Sequence, residues 1–204
     1  VFFRLNGVFE DSETYRQFGK LQRYGINPTM TFLLGPQTTL KLSYEYFHDD
    51  RFPDRGIPSQ NGRPYNYRNN TRTFFGNPTV NRTAVDANIA TATLDHTFES
   101  GVQMRNQLRF ADYNRFYSNS LPAAPVNAAG TQVPITIYRS ETNRTNYFSQ
   151  NDFTYKFLTG DVKHTLLAGF ELGYQEGLAF RETGFSRVGD SLVTSVVVNP
   201  MSPI

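Results

Sequence analysis

The feature that most constrains this chain is a repeated alternation of apolar and polar residues in long segments. The clearest segment is Thr38–His48, in which every second residue is apolar or aromatic: Leu40, Leu42, Tyr44 and Tyr46, against Lys41, Ser43 and Glu45. Successive side chains of a β-strand point to opposite faces, so the pattern predicts a strand with one apolar and one polar face. No apolar run approaches the roughly 20 residues of a membrane helix.

Seven segments carry this pattern. We expect strands at about Val1–Phe9, Leu21–Leu34, Thr38–His48, Ile89–Phe98, Val102–Tyr117, Asn143–Phe157 and Val162–Phe180. Short turns are expected near Pro36, Ser100 and Gly160, and long loops over Asp49–Asn88 and Ser118–Thr142. Short turns would then share one edge of the sheet and long loops the other, as in outer-membrane barrels. A soluble sandwich would have shorter strands with more frequent turns.

Composition also favours a membrane barrel. Aromatic residues make up 15% of the chain, with 18 Phe and 12 Tyr, whereas hydrophobic residues reach only 38%. A barrel needs this mixture, because it is apolar outside, aromatic at the membrane interfaces and polar inside. The chain has no cysteine, which excludes disulfides and thiolate sites, and its net charge of +2 gives no reason to expect a nucleic-acid partner.

The predicted strands form an odd and open set. An unclosed sheet would leave unpaired backbone groups at its edges, and a bilayer does not tolerate such groups. Strand-like sequence begins at Val1 without a visible signal peptide. We therefore expect residues 1–204 to be an incomplete all-β antiparallel barrel, one part of a larger transmembrane β-barrel domain.

Several stretches carry a resemblance to a known family. In the first long loop these are Phe47–Pro58 (FHDDRFPDRGIP), Asn61–Pro64 (NGRP) and Thr73–Pro78 (TFFGNP). Together with Leu40–Tyr46, Arg105–Tyr117 and His164–Glu171, they resemble the first third of the barrel of TonB-dependent outer-membrane siderophore receptors. The resemblance covers nearly all of the chain, and the pairing of DRGIP with FFGNP is its more specific part.

The resemblance implies a function in transport. Such receptors are 22-stranded barrels with an internal plug, they lie in the bacterial outer membrane, and they import ferric siderophores with energy passed through TonB. We expect this chain to contact outer-membrane lipid and ferric siderophore, and to contact its own plug domain and TonB through parts outside residues 1–204. No cofactor is expected: the ferric siderophore is the transported ligand, and the resemblance leans towards the hydroxamate type.

Two groups of residues are candidates for ligand contact. On the fifth predicted strand, the polar alternation Gln103–Arg109 continues to Tyr113, Arg115 and Tyr117, which would place them at the mouth of the lumen. In the first long loop the candidates are Tyr65, Tyr67, Phe74 and Phe75. Aromatic rings suit the organic surface of a chelate, and arginine suits its oxygens. Alternatively, these residues make interfacial or loop contacts, and Asp54-Arg55-Gly56 forms a structural turn.

Other polar residues leave alternatives open. Charged residues are expected on the lumenal face, where they would contact a plug or form a solvated wall: Arg4, Lys41, Glu45, Arg105, Arg109, Lys156, Lys163 and Glu171. The histidines lack zinc spacing, and we predict no protein metal ligands. Catalytic motifs such as G-x-S-x-G and H-E-x-x-H are not found, so we expect no enzyme. The competing hypotheses are an outer-membrane barrel enzyme such as a lipase, and a structural or adhesive barrel.

Overall fold

The computed structural model describes residues 1–66 and 71–203, which form twelve β-strands. Their bounds are β1 Phe2–Glu13, β2 Lys20–Gly35, β3 Thr38–Arg51, β4 Ser59–Gln60, β5 Arg63–Pro64, β6 Arg82–Thr97, β7 Gln103–Pro122, β8 Val133–Thr159, β9 Val162–Thr183, β10 Ser186–Val188, β11 Ser191–Val193 and β12 Ser195–Val198. Within these two ranges, we find no helix with the length and apolar character needed to cross a membrane.

The seven long strands pair as neighbours in chain order, β1-β2-β3-β6-β7-β8-β9, and every pair is antiparallel. The sequence prediction of seven long strands in an antiparallel sheet is confirmed. Among the described residues, β1 and β9 each have a single partner strand, so the sheet is not closed. Its strands therefore form an open antiparallel sheet.

The three predicted short turns are confirmed and lie at one edge of the sheet. They connect β2 with β3, β6 with β7, and β8 with β9. Gly101 and Gly160 have φ angles of 84° and 61° in the second and third turns. These positive values favour glycine because it has no Cβ to clash with the backbone.

The strands extend further on the long-loop side than the sequence predicts. β6 begins at Arg82 rather than near Ile89, and β7 and β8 stay paired as far as Pro122 and Ile135. The predicted loop Ser118–Thr142 therefore shrinks to residues 123–132. The prediction was wrong at the end of β7 because Ser118, Asn119 and Ser120 put polar residues on both faces. It was wrong at the start of β8 because the alternation of Val133, Ile135 and Ile137 was taken as part of a loop rich in Pro, Ala and Asn.

The tail after Arg181 contains further strands. β9 runs on to Thr183, and β10 and β11 then form a short hairpin. β12 resumes the direction of β9 and pairs with the first residues of β8, with Val198 opposite Val133. The Val-rich tail thus lengthens the edge of the sheet at the long-loop side.

One face of the sheet is apolar and carries an aromatic belt at each end. The upper belt lies towards the long loops and the lower belt towards the short turns. The upper belt contains three successive cross-strand neighbours, Phe110, Tyr147 and Tyr174, with ring centroids 5.2 and 6.4 Å apart. In the lower belt Phe157 stacks on His164 at 4.8 Å. Tyr174 follows His164 by ten residues on β9, which is about 25 Å across a tilted wall, the height of the apolar band of membrane barrels.

The opposite face is polar. The uninterrupted register of β6 to β9 places all the charged residues predicted for these strands on it: Arg105, Arg109, Lys156, Lys163 and Glu171. Arg105 makes an exposed ion pair with Asp95 at 2.7 Å. Exposed pairs of this kind contribute little to stability. Whether this face contacts a plug or is a solvated wall stays a prediction.

Candidate functional site

The three candidates on β7 lie on the polar face, near the long-loop end. Tyr113 is paired with Arg144, and Tyr117 with Ser140. Arg115 lies between them on the same face. Only about 9–11 residues of a tilted strand lie within a bilayer, so the end of this twenty-residue strand projects beyond the apolar band. The prediction that Tyr113, Arg115 and Tyr117 face the polar side is confirmed. The role of these three residues in ligand binding stays a prediction.

Two tyrosines and two arginines form a stacked group at this end, which we call the mouth cluster: Arg55, Tyr117, Tyr138 and Arg181. The rings of Tyr117 and Tyr138 lie 5.6 Å apart. The Arg55 guanidinium lies 5.4 Å from the Tyr117 ring, and that of Arg181 lies 4.4 Å from the Tyr138 ring. Arg55 also donates a 2.7 Å hydrogen bond to the Tyr138 hydroxyl. The cluster presents aromatic faces flanked by cations.

Two asparagines fix the cluster to the strand ends. With its amide oxygen turned towards Arg55 Nε and the Tyr117 hydroxyl, Asn119 accepts from both at 3.1 Å. This orientation is required because a guanidinium only donates. Asn81 is buried, donates to the carbonyls of Pro53 and Ser120 at 3.1 and 3.3 Å, and accepts from the Ser120 N–H at 2.7 Å. The loop carrying Arg55 is therefore tied to the end of β7.

The turn Asp54-Arg55-Gly56 presents the Arg55 side chain. Asp54 accepts from the Gly56 N–H at 3.0 Å, and Gly56 has a φ of 83°, which favours glycine. The other Asp54 oxygen accepts from Nε of buried Arg16 at 2.9 Å. The predicted structural turn is confirmed, and it also delivers Arg55 to the mouth cluster. A cavity of about 310 Å³ adjoins it, lined by Arg55, Ile57, Leu121 and Pro125 among others.

The candidates in the first long loop are mostly buried. Phe75 and Tyr65 pack with Val126, Val133 and Ile135 in a small core between the loop and the ends of β7 and β8. Phe74 is 1% exposed, and its ring lies 4.7 Å from that of Phe52. In this conformation these three side chains hold the loop together instead of facing a ligand. Their contact with ligand, like that of Tyr67, stays a prediction, and Tyr67 lies outside the described residues.

Burial in the mouth cluster changes the pKa of Tyr117. Burial, followed by the neighbouring Tyr138 hydroxyl, raises the pKa of Tyr117 above its ordinary value, although the Arg55 charge acts in the opposite direction. Tyr117 is therefore a neutral phenol at physiological pH. It can donate or accept a hydrogen bond while its ring stacks.

Sequence reasoning missed Tyr138, Arg181 and the role of Arg55. Tyr138 fell in a predicted loop, Arg181 lay just beyond the predicted end of its strand, and Arg55 was assigned to a structural turn. For the first two, a signal exists: the alternation of β8 and β9, continued to their observed ends, puts both on the polar face. For Arg55 the sequence has no signal, because its position depends on how the loop folds.

The described residues show no obvious catalytic or metal centre. In them, no group of three or more His, Cys, Asp or Glu side chains is arranged to hold a metal ion. His96 is hydrogen-bonded to Thr38 at 2.8 Å, His48 to Asp86 at 2.7 Å, and His164 stacks on Phe157. Among these same residues, no serine hydroxyl is hydrogen-bonded to a histidine, so the pair that a lipase requires is not formed there.

The chain is similar in sequence to known receptors, although no protein-family model matches it. It is 27% identical over 163 residues to the probable TonB-dependent siderophore receptor PiuA of Acinetobacter baumannii, covering 76% of this chain and 22% of that protein. It is 23% identical over 175 residues to the metal-pseudopaline receptor CntO of Pseudomonas aeruginosa, covering 84% of this chain and 24% of that protein. The chain thus spans about a quarter of the length of these curated relatives.

The fold matches solved structures of the same kind. The crystal structure of the siderophore receptor PiuA from A. baumannii superposes with a TM-score of 0.80 at 22% identity, over 95% of this chain and 29% of that one. The ferric-catecholate import receptor Fiu from E. coli K12 gives a TM-score of 0.75 at 20% identity, over 94% and 32%. The predicted all-β antiparallel fold is confirmed, and so is the predicted resemblance to TonB-dependent siderophore receptors.

Proposed function

We propose that this chain forms part of the barrel of an outer-membrane TonB-dependent transporter, which binds and imports a ferric siderophore. The observation that carries the proposal is the superposition of 94–95% of the chain on siderophore receptors, with TM-scores of 0.75 and 0.80. The two-faced sheet supports the same conclusion, because an apolar band of about 25 Å between aromatic belts fits a bilayer. Lipid contacts the apolar face, and the polar face lines the lumen.

The mouth cluster receives the chelate in this proposal. It lies on the lumenal face beyond the upper aromatic belt, where a ligand arriving from outside would first meet the wall. Tyr117 and Tyr138 offer ring faces and hydroxyls to an organic ligand, and Arg55 and Arg181 offer guanidinium donors to its oxygens. Tyr113 and Arg115 lie directly below on the same face and extend the contact.

Iron is cargo and not a resident cofactor in this scheme. The siderophore oxygens bind Fe³⁺, a hard cation that prefers oxygen ligands, and the chain contacts the outside of the complex. The plug domain and the contact with TonB belong to other parts of the complete protein. We do not propose nucleic acid as a partner, since the net charge is only +2.

The test uses the complete protein encoded by the gene that contains this chain. Cells that express it should take up radioactive iron supplied as a ferric siderophore, and uptake should stop when TonB is deleted. The double variant Tyr117→Ala/Tyr138→Ala should weaken chelate binding by about tenfold or more, since stacking on an aromatic side chain contributes about 1–3 kcal/mol per base in nucleic-acid complexes.

A matched control lies on the same strand. Phe116 neighbours Tyr117 but faces the other side, where the Arg139 guanidinium lies 5.3 Å from its ring. Phe116→Ala should leave chelate binding unchanged. A complete protein that is folded in the outer membrane but takes up no ferric siderophore would refute the transporter proposal, and hydrolysis of a lipid ester by that protein would favour the lipase alternative instead.

A further inference from the structure

The charges at the upper ends of the last long strands are sorted by face. The upper part is taken here as the residues on the long-loop side of Ala111, Asn146 and Gln175, which are cross-strand neighbours on β7, β8 and β9. The register from β6 to β9 is uninterrupted, so residue parity assigns each side chain to a face without ambiguity.

On the polar face of this upper part the charged residues are all cations: Arg115, Arg144 and Arg181. Carboxylates on the polar face of β6 to β9 lie in the lower part instead, near the short turns: Asp95, Asp152 and Glu171. The upper polar face of these four strands, all of them among the described residues, therefore carries positive charge without negative charge.

The opposite face at the same height has the reverse character. Its carboxylates are Asp86, Asp112, Glu141, Glu176 and Glu182. Its two arginines are already engaged: Arg82 with Asp50 at 2.7 Å, and Arg139 with Glu182 at 3.7 Å. On the upper part of these four strands, cations thus collect on the polar face and carboxylates on the opposite face.

The lumenal cations are not neutralised by nearby carboxylates. Within residues 1–66 and 71–203, Arg115, Arg144 and Arg181 make no ion pair, and Arg55 contacts phenol groups and an amide. The loop carboxylate Asp54 is occupied by Arg16 at 2.9 Å. Asp49, on the polar face of the adjacent strand β3, is occupied by Arg23 and Arg51 at 3.4 and 2.8 Å. Clustered unpaired cations concentrate an oppositely charged ligand.

From this sorting we propose that Arg115, Arg144 and Arg181, together with Arg55, make the mouth select ferric chelates with net negative charge over neutral ones. The inference rests on the proposed function and names the ligand class of that same site. Three doubly charged catecholates around Fe³⁺ leave a negative complex, whereas three singly charged hydroxamates leave a neutral one. The ligand class is therefore anionic, as in a tris-catecholate, in place of the hydroxamate type towards which the sequence resemblance leans.

The test compares two ferric complexes that share a tripodal scaffold and differ in charge: the tris-catecholate and the tris-hydroxamate. Binding is measured on the purified complete protein in detergent, at low and high salt. The tris-catecholate should bind at least about tenfold more tightly at low salt, and the preference should shrink at high salt, because salt screens exposed charges.

Two sets of variants compare the arginines of the polar face with arginines at the same height on the outer face. The triple variant Arg115→Gln/Arg144→Gln/Arg181→Gln should weaken tris-catecholate binding by about tenfold or more and change tris-hydroxamate binding by less than about twofold. The control Arg82→Gln/Arg139→Gln removes charge at the same height on the outer face and should change neither. An equal loss in the control would overturn the inference, because charge would then act without regard to face.

The outcomes for the unmodified protein distinguish this inference from the proposed function. Tighter binding of the tris-hydroxamate, or equal binding of both complexes without salt dependence, would overturn charge selection and leave the transporter proposal standing. If the folded protein bound neither complex nor any other ferric siderophore, both proposals would fail.

Discussion

At the residue scale, a single ring on the polar face depends on a glycine in the next strand. Phe148 of β8 lies beside Gly173 of β9, and a Cβ added at Gly173 would come within 2.6 Å of the Phe148 ring. Glycine therefore lets the ring lie flat on the neighbouring strand. The Phe148 ring also packs over the Gly173 backbone, which has no side chain to cover it. Aromatic rings stabilise glycines in other sheets in the same way.

Gly173→Ala should destabilise the complete protein by about 1–3 kcal/mol, because Phe148 must leave its position to admit the methyl group. The measurement is the midpoint of thermal unfolding in detergent. Gly177→Ala on the same strand and face is the control, since its added Cβ would meet no atom closer than 3.6 Å. Equal unfolding temperatures for the two variants would contradict the proposed dependence of the ring on Gly173.

Tyr117 gives a second prediction at this scale, on pH. Its pKa is raised in the folded protein, chiefly by burial, so the neutral phenol is favoured by folding. This contribution is complete below the ordinary tyrosine pKa of about 10 and is lost as pH rises through the raised value. The difference in phenolate absorbance between the parent protein and Tyr117→Phe should therefore appear only above about pH 10. A difference that titrates at or below that value would show that the phenol is not buried as described.

At the scale of elements, the first long loop is held by one buried cation. Arg16, in the turn between β1 and β2, donates to Asp54 at 2.9 Å and to the carbonyls of Thr71 and Thr73 at 2.6 and 3.1 Å. Its side chain is only 8% exposed. The turn between the first two strands thus fixes the loop that carries Arg55, although some forty residues separate them in the chain.

Arg16→Met should loosen that loop while leaving the sheet intact. Hydrogen bonds to a charged group contribute about 1.5–3 kcal/mol, so cleavage of residues 52–81 by a protease of broad specificity should accelerate by about tenfold or more. Arg139→Met is the control, because Arg139 pairs with Glu141 and Glu182 on the exposed outer face. An unchanged cleavage rate in Arg16→Met would show that the hydrophobic core of the loop is sufficient without the ion pair.

The sequence predicted some elements well and others poorly, for a physical reason. Between the aromatic belts one face is apolar and the other polar, so alternation is strict, and strand number, order, faces and short turns follow from it. Above the belts carboxylates such as Asp112 and Glu141 interrupt the apolar face, and the strand ends, the hairpin of β10 and β11, and Tyr138 were missed. Tyr117 was placed on the correct face because its strand continues an alternation that begins inside the apolar band.

At the scale of the whole molecule, the apolar face determines how the chain behaves alone. Its edge strands are strongly exposed: on β1, Phe3 and Phe9 are 82% and 73% exposed, and on β9, Leu172 and Tyr174 are 63% and 61% exposed. Both edges also carry backbone groups that have no strand partner within the described residues. Unpaired edges beside an exposed apolar face promote pairing between chains.

Residues 1–204 produced alone should therefore aggregate in plain buffer and stay dispersed only in detergent. Light scattering after size exclusion measures this directly. Leu172→Lys places a charge on the apolar face of edge strand β9 and should reduce aggregation, whereas Gln175→Lys on the polar face of the same strand should have less effect, because that face is already wetted. A monodisperse monomer of the unmodified chain in buffer would mean that its edges and its apolar face are covered from within, and the partial-barrel arrangement would have to be abandoned.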